Sequence, residues 1–532
     1  MVKKLFLVAA IIMVGSSVVT NQAKAASVDT LVESACKSLV NADFSTVQDA
    51  PTMVIDAKLV EASGGAPAHC QVEGYVTPNV GFTLVLPVNW NGKFIEHGCG
   101  GDCGFTAVTP LSVAWMDRGM LCDDQLRQRY ACIISDMGHK GWGGIWAYNN
   151  LQAQVDFGYR GAHVTAVAGK AITEHYYNRA PKYSYFTGCS TGGRQALVEA
   201  QRFPWDFDGI VAGAPWINDT DSTMRVVWND RVLSRKDGKP LLGRADLQLV
   251  HDAALAKCDM DDGVKDGVIG NPLACNFDPE GLVCKPGKTS GCITPDQVDA
   301  VKKIYAGPTN SQGAKIYTGG SPIGSELDWG GWSLSNSAAA GYFRYSVMPP
   351  AGPHWQETDF DFDRDYKRFP SGSQESLLNA ANPDLRKFKT SGGKLIIFQG
   401  GKDPAVVPAN TIDYYQTVER TMGGRGATQE FARLFVVPGM EHCSAGDGAF
   451  AIDYLSYLEA WVEKGHAPDV MIGSHVKGVD WVQSLSSPLL SFPLAPSTPI
   501  SFTRPVYPYP IQAKYKGTGD PNNAANFGPV EP

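Results

Sequence analysis

Thr187-Gly188-Cys189-Ser190-Thr191-Gly192-Gly193 is the stretch whose reading decides the fold. Tyr183 to Thr187 reads as a strand and Arg194 to Arg202 as a helix, which puts Ser190 on the sharp turn between them. Glycines at 188 and 192 allow that turn and leave the hydroxyl exposed. Two later strand ends complete the pattern. Lys394 to Phe398 runs into Gly400-Gly401-Lys402-Asp403-Pro404, and Phe431 to Val437 is followed by His442-Cys443. A serine, then an acid, then a histidine, each after a strand, is the chain order of a nucleophile, orienting acid and base on an α/β sheet. The serine needs a base to take its proton, and the base needs an acid to fix its tautomer and stabilise its cation. Ser190, His442 and Asp403 fill those roles. The Thr191 N–H faces an oxyanion from the helix start, and a second donor belongs on a Gly-rich loop after an earlier strand. Gly98-Cys99-Gly100-Gly101 fits, with Gly100 or Gly101 as the donor.

Ser190 and His442 each adjoin a cysteine, and a Cys189–Cys443 disulfide would tie the two loops together. In the loop-entropy model a bridge of that span contributes roughly 4–5 kcal/mol before strain. Cys189 as the nucleophile would require a free thiolate, which export and the Cys443 partner argue against.

Further strands are read at 54–60, 82–87, 93–97 and 131–135, with helical spacing over 160–178 and a helix near 448–464. Strands alternating with helices imply a mainly parallel sheet with helices on both faces. From about 217 to 385 that rhythm breaks in a segment rich in Gly, Pro, Asp and Trp. The fold class is therefore α/β, an α/β-hydrolase core (26–216 and 386–532) with a large inserted lid domain (217–385) over the strand ends. The Pro-rich tail from about 485 reads as irregular coil.

The first 25 residues read as a signal peptide, with Lys3-Lys4, an apolar run from Leu5 to Val14, and Ala23-Lys24-Ala25 as the cleavage site. The apolar run is too short and interrupted for a comfortable membrane span. The chain is expected to be exported, periplasmic or secreted. Its net charge of −8, from 46 basic and 54 acidic residues, argues against nucleic acid or an anionic membrane as partner. Twelve cysteines in an exported chain suggest disulfides. Proximity suggests Cys36–Cys70, Cys258–Cys275 and Cys284–Cys292, while Cys99, Cys103, Cys122 and Cys132 leave three pairings open. Cys99 and Cys103 could form half a zinc site, but no close His or Cys pair completes it.

Within the insertion, Asp259, Asp262 and Asp266 alternate with the carbonyls of Val264 and Val268 on a tight loop. Calcium takes six to eight such oxygens, whereas Asp and Gly also build plain solvated turns. No glutamate stands at the twelfth position, so the loop is not an EF-hand.

These motifs resemble the tannase and feruloyl esterase family of α/β-hydrolases, which includes mono(2-hydroxyethyl) terephthalate hydrolase. The resemblance runs from Cys36 through Trp90-Asn91-Gly92-Lys93-Phe94, Asp136-Met137-Gly138-His139, Tyr183 to Arg194, Arg202 to Gly209, the aspartate loop, Asp403 and His442-Cys443, to Arg504 through Pro510. It implies a triad of Ser190, Asp403 and His442 bridged by Cys189–Cys443. It also implies a structural calcium in the lid, held by Asp259, Asp262, Asp266 and the carbonyls of Val264 and Val268, with no organic cofactor. A C-terminal disulfide common in the family, near Tyr507 and Gly528, is absent, and the four cysteines at 99–132 exceed the family pattern. The expected activity is serine carboxylesterase on esters of small aromatic acids, with feruloyl esters ahead of galloyl esters and terephthalate monoesters. A non-catalytic aromatic-ester binding protein and an amide hydrolase are the rivals. Trp329, Trp332, Phe343 and Tyr345 are ring contacts or, more simply, core.

Overall fold

The structure, a computed structural model, describes residues 30–106, 122–288, 290–331, 337–348, 354–370, 372–479 and 492–531. The signal-peptide segment and Trp332 lie outside them. Nine strands form one sheet in the order β1-β2-β3-β5-β4-β6-β7-β8-β9. They are β1 (Thr52–Val60), β2 (His69–Val76), β3 (Val80–Pro87), β4 (Lys93–His97), β5 (Ala131–Ser135), β6 (Tyr183–Cys189), β7 (Gly209–Gly213), β8 (Lys394–Gly400) and β9 (Ala432–Val437). β1, β2, β3 and β5 pair antiparallel, and from β5 through β4 to β9 every pairing is parallel. Every residue of β5 and of β7 is buried, as expected for strands covered on both faces.

The serine strand β6 thus lies in the parallel half, and the acid and histidine follow β8 and β9. β2 is a strand that the sequence reading does not assign. The helix assigned to 448–464 begins only at Tyr454 and ends at Lys464. Asp453 caps it by accepting from Ser456 N, while Ala451, just before, is extended and bridges Ser474. The tail is not irregular coil. β10 (Met471–Val476) pairs with β11 (Ile500–Val506), and β12 (Gln512–Tyr515) pairs with β13 (Phe527–Val530). Pro508 bridges Phe435, and Tyr509 N donates to Leu434 O at 2.7 Å, so the tail covers the sheet edge at β9. An open edge with unpaired backbone groups is a liability that such coverage removes.

Among the described residues, the segment between β7 and β8 adds no strand to the main sheet. Part of it has its own apolar core, built on Leu242, Val250, Ile293, Val298, Val301, Ile304 and Trp329. Other parts, including Met224, Val227, Phe343 and Phe360, join the main core. No helix among the described residues is long and apolar enough to cross a membrane.

Candidate active site

Ser190 lies between the end of β6 and the helix Thr191–Arg202, at the helix N-cap, with φ 63° and ψ −121°, a backbone state that costs a non-glycine residue about 1–3 kcal/mol. The surroundings hold it there. Its N–H donates to Gly213 O at 3.0 Å, and its carbonyl accepts from Trp216 N at 3.1 Å and Arg194 N at 3.0 Å. The glycines after it are required by close approach. A Cβ on Gly192 would stand 2.9 Å from Gly98 O, and one on Gly193 would stand 2.2 Å from Gly213 O.

Asp403 and His442 meet behind this turn. His442 Nδ1 lies 2.8 Å from Asp403 Oδ2, and both side chains are buried. Asp403 Oδ1 accepts from Ala405 N and Val406 N at 2.8 and 2.9 Å, and Gln399 Nε2 reaches Oδ2 at 3.2 Å. A carboxylate with four donors is fixed in direction and satisfied without water. The buried Arg225 brings a positive charge to the same loop by donating to Ala405 O. Cys189 and Cys443 are bonded, with Cα atoms 5.9 Å apart, so the residue before the serine and the residue after the histidine are one covalent unit.

The Gly-rich loop after β4 packs on the serine turn. Thr191 is the first residue of its helix, so its N–H has no carbonyl a turn earlier within that helix. Gly100 and Gly101 lie inside a ring closed by Cys99–Cys103, and Gly101 has φ +56°. Gln195, one turn along the serine helix, grips that ring. Its Oε1 accepts from Cys99 N at 3.2 Å, and its Nε2 lies 3.3 and 3.4 Å from the two sulfurs. Asp102 in the same loop accepts from Gly143 N and Gly144 N at 2.7 and 3.0 Å. Burial pushes its carboxyl up to about 6, against the pull of those two bonds. Gln195, Arg225 and Asp102 are not legible as site residues, because each acts across a contact between distant segments, and Gln399, only four residues from Asp403, stands in no motif of its own. The open pairing among four cysteines resolves as Cys99–Cys103 and Cys122–Cys132. Cys36–Cys70, Cys258–Cys275 and Cys284–Cys292 are also bonded, and no cysteine is free. Trp329 and Phe343 are buried in core clusters, so they are packing residues. Tyr345 sets its ring edge-on to Tyr148.

The aspartate loop, held by Cys258–Cys275, turns its carboxylates toward its own backbone. Asp259 Oδ1 accepts from Asp266 N and Gly267 N, Asp262 Oδ1 from Val264 N, and Asp266 Oδ1 from Val268 N. Burial, with the charges of Asp266 and Asp259, pushes Asp262 up to about 6. An oxygen-only, carboxylate-rich set whose members repel one another fits a hard dication in its chemistry. The geometry is looser, since the three aspartates do not form a cluster with ligand atoms all within 4.8 Å of one another, and Arg504 holds Asp266 Oδ2 at 2.5 Å. Among the described residues such a cluster forms instead at His163, Glu199 and Asp206, where Lys170 already donates to Asp206 O.

Comparison with known proteins matches this architecture throughout. The family model described as tannase and feruloyl esterase matches residues 65–530. Mono(2-hydroxyethyl) terephthalate hydrolase of Piscinibacter sakaiensis is 33% identical, covering 90% of this chain and 87% of its own. A probable feruloyl esterase of Arthroderma benhamiae is 34% identical, covering 84% and 81%. The crystal structure of feruloyl esterase B from Aspergillus oryzae superposes with a TM-score of 0.81 at 25% identity, over 94% of this chain and all of that one. With the sheet, the serine turn and the buried acid–histidine pair on that scaffold, the chain belongs to the tannase and feruloyl esterase family of carboxylic ester hydrolases.

Proposed function

We propose that this chain is an exported serine esterase that hydrolyses esters of small aromatic acids. The Asp403–His442 hydrogen bond, locked beside Ser190 by Cys189–Cys443, is the observation that carries the reading. Ser190 Oγ attacks the ester carbonyl while His442 takes its proton. The tetrahedral oxyanion is met by the N–H of Thr191 and by one from Gly100 or Gly101. His442 then protonates the leaving alcohol, and water, deprotonated by the same histidine, releases the aromatic acid. Asp403 holds Nδ1 and stabilises the imidazolium. Feruloyl esters are the first choice of substrate, given the relatives named for that activity. Galloyl and mono(2-hydroxyethyl) terephthalate esters follow. Twelve paired cysteines suit an oxidising compartment, consistent with cleavage of a signal peptide after Ala25. The segment 217–385 acts as the lid.

Initial rates on methyl ferulate, methyl gallate and mono(2-hydroxyethyl) terephthalate test the reading, with Ser190→Ala as control. Hydrolysis of one of them is expected, falling by roughly 10⁴-fold or more in the control. No hydrolysis of any would remove the aromatic-ester assignment and leave the binding-protein alternative.

In the same lid, Asp259, Asp262, Asp266 and the carbonyls of Val264 and Val268 hold a structural calcium, with Arg504 yielding Asp266. Calcium is expected to raise the unfolding temperature of chelator-treated protein, and Asp262→Asn to abolish that rise. An unfolding temperature indifferent to calcium and chelator would refute the site.

A further inference from the structure

Lys402 stands between Gly401 and Asp403, and its N–H donates to Met440 O at 3.0 Å, laying the acid loop beside the histidine loop. Its side chain is buried and, unlike that of Asp403, does not meet His442 but turns to three carboxylates. The ammonium lies 2.8 Å from Asp447, 3.4 Å from Glu441 and 3.2 Å from Asp328. Glu441 immediately precedes His442, and Asp447 closes the same loop. Asp328 belongs to the insertion, on the turn Glu326–Gly331.

That turn is itself rigidly seated. Glu326 is fully buried, pairs with His251 Nδ1 at 2.9 Å, and accepts from Tyr305 Oη and Gly324 N at 2.5 and 2.7 Å. Trp329 Nε1 donates to Ser325 Oγ at 2.9 Å, inside the insertion's own apolar core. A single cation therefore joins three segments: the acid loop, the histidine loop and the insertion's core.

We propose that Lys402 is a positioning residue whose ammonium, bound to Asp328, Glu441 and Asp447, sets the alignment of His442 with Asp403 and makes it depend on the seating of the insertion. Burial alone would lower the lysine's affinity for its proton, but the three carboxylates outweigh it and raise it above the ordinary lysine value. Three acids sharing one cation leave Glu441 pushed up to about 7, through burial first and the charge of Asp328 next. The ammonium is thus the charge that keeps this junction closed. A misplacement of about 1 Å in a catalytic group is enough to cost on the order of a hundredfold in rate, so a junction of this kind acts on kcat. The inference rests on the Ser190–His442–Asp403 reading.

The test compares kcat and KM of Lys402→Met, Lys402→Arg and Asp328→Asn on whichever ester the enzyme hydrolyses, with Ser190→Ala alongside. Lys402→Met is expected to lower kcat at least about tenfold with KM within about threefold, the pattern of a change felt in the transition state. Arginine, which keeps the charge, is expected to restore most of kcat, and Asp328→Asn to lower it about threefold through the insertion alone. Wild-type kcat in folded Lys402→Met overturns the proposal, as does a rise in KM with kcat unchanged. If Lys402→Met does not fold, Asp328→Asn and Asp447→Asn decide, and wild-type kcat in both overturns it. An inert Ser190→Ala together with a fully active Lys402→Met removes only the role of Lys402. An active Ser190→Ala removes the triad and the role together.

Discussion

Two disulfides lie beside Ser190 in this molecule. Cys189–Cys443 spans 254 residues and fastens the histidine loop to the serine strand, whereas Cys99–Cys103 spans four and closes a ring within the Gly-rich loop. Around the first stand other ties between loops, His442 to Asp403 across 39 residues and Lys402 to Asp447 across 45. Around the second stand Gln195 on Cys99 N, across 96 residues, and Asp102 on Gly143 N, across 41. A base that comes from a distant part of the chain must be brought to the nucleophile. A donor loop that already follows the neighbouring strand needs only to keep its shape. The long bridge removes much entropy from the unfolded chain, while the short one removes little and acts on local geometry.

The largest effect is expected at the long bridge. Replacing both Cys189 and Cys443 with Ser is expected to cost on the order of 5 kcal/mol of stability by loop entropy. It is also expected to lower kcat, because His442 adjoins Cys443. Denaturant unfolding and kcat measured together check this, and an unchanged midpoint with unchanged turnover would contradict it.

The short bridge should separate the two quantities. With Cys99 and Cys103 both changed to Ser, the loop model gives a loss of only about 2 kcal/mol. The proposed oxyanion donors loosen, however, so kcat is expected to fall by about tenfold, less than the roughly hundredfold or more that losing one such donor outright costs, with KM little changed. A stability loss as large as that of the long bridge, without any effect on kcat, would reverse the assignment of roles.

The smallest effect is a slope. Asp102 carries a carboxyl raised to about 6 by burial, against an ordinary value of 3.8. Between about pH 4 and pH 6 the native state therefore holds more of this proton than the unfolded chain, and stability falls as pH rises through that window. Asp102→Asn keeps an acceptor for Gly143 and Gly144 and removes the proton. Stability curves across pH 4–6 are expected to be flatter in the variant, and identical slopes would refute the effect.

Ser190, Asp403 and His442 were readable in the sequence because each sits on a local signal, a glycine-flanked turn or a strand end. The parallel sheet was readable because its buried strands are continuous apolar runs. The tail was misread because Pro-rich composition suggests coil, whereas Ile500–Val506 finds a partner in Met471–Val476 and Pro508 and Tyr509 settle on the edge of β9. The helix start at Tyr454 was missed because residues before it pair with β10. The sequence by itself determined the order of the serine, acid and histidine along the chain, the glycine-flanked turn that carries the serine, and the closely spaced aspartates of the insertion. Those depend on residues a few positions apart. Only the tertiary structure decided which of four cysteines pair, that Gln195 braces the Gly-rich loop, and that Lys402 turns toward three carboxylates. The last two are contacts between segments 96 and 74 residues apart, set by how the insertion and loops pack on the sheet, and no local pattern encodes them, while the cysteine pairs, four and ten residues apart, are one of three pairings that spacing alone does not rank.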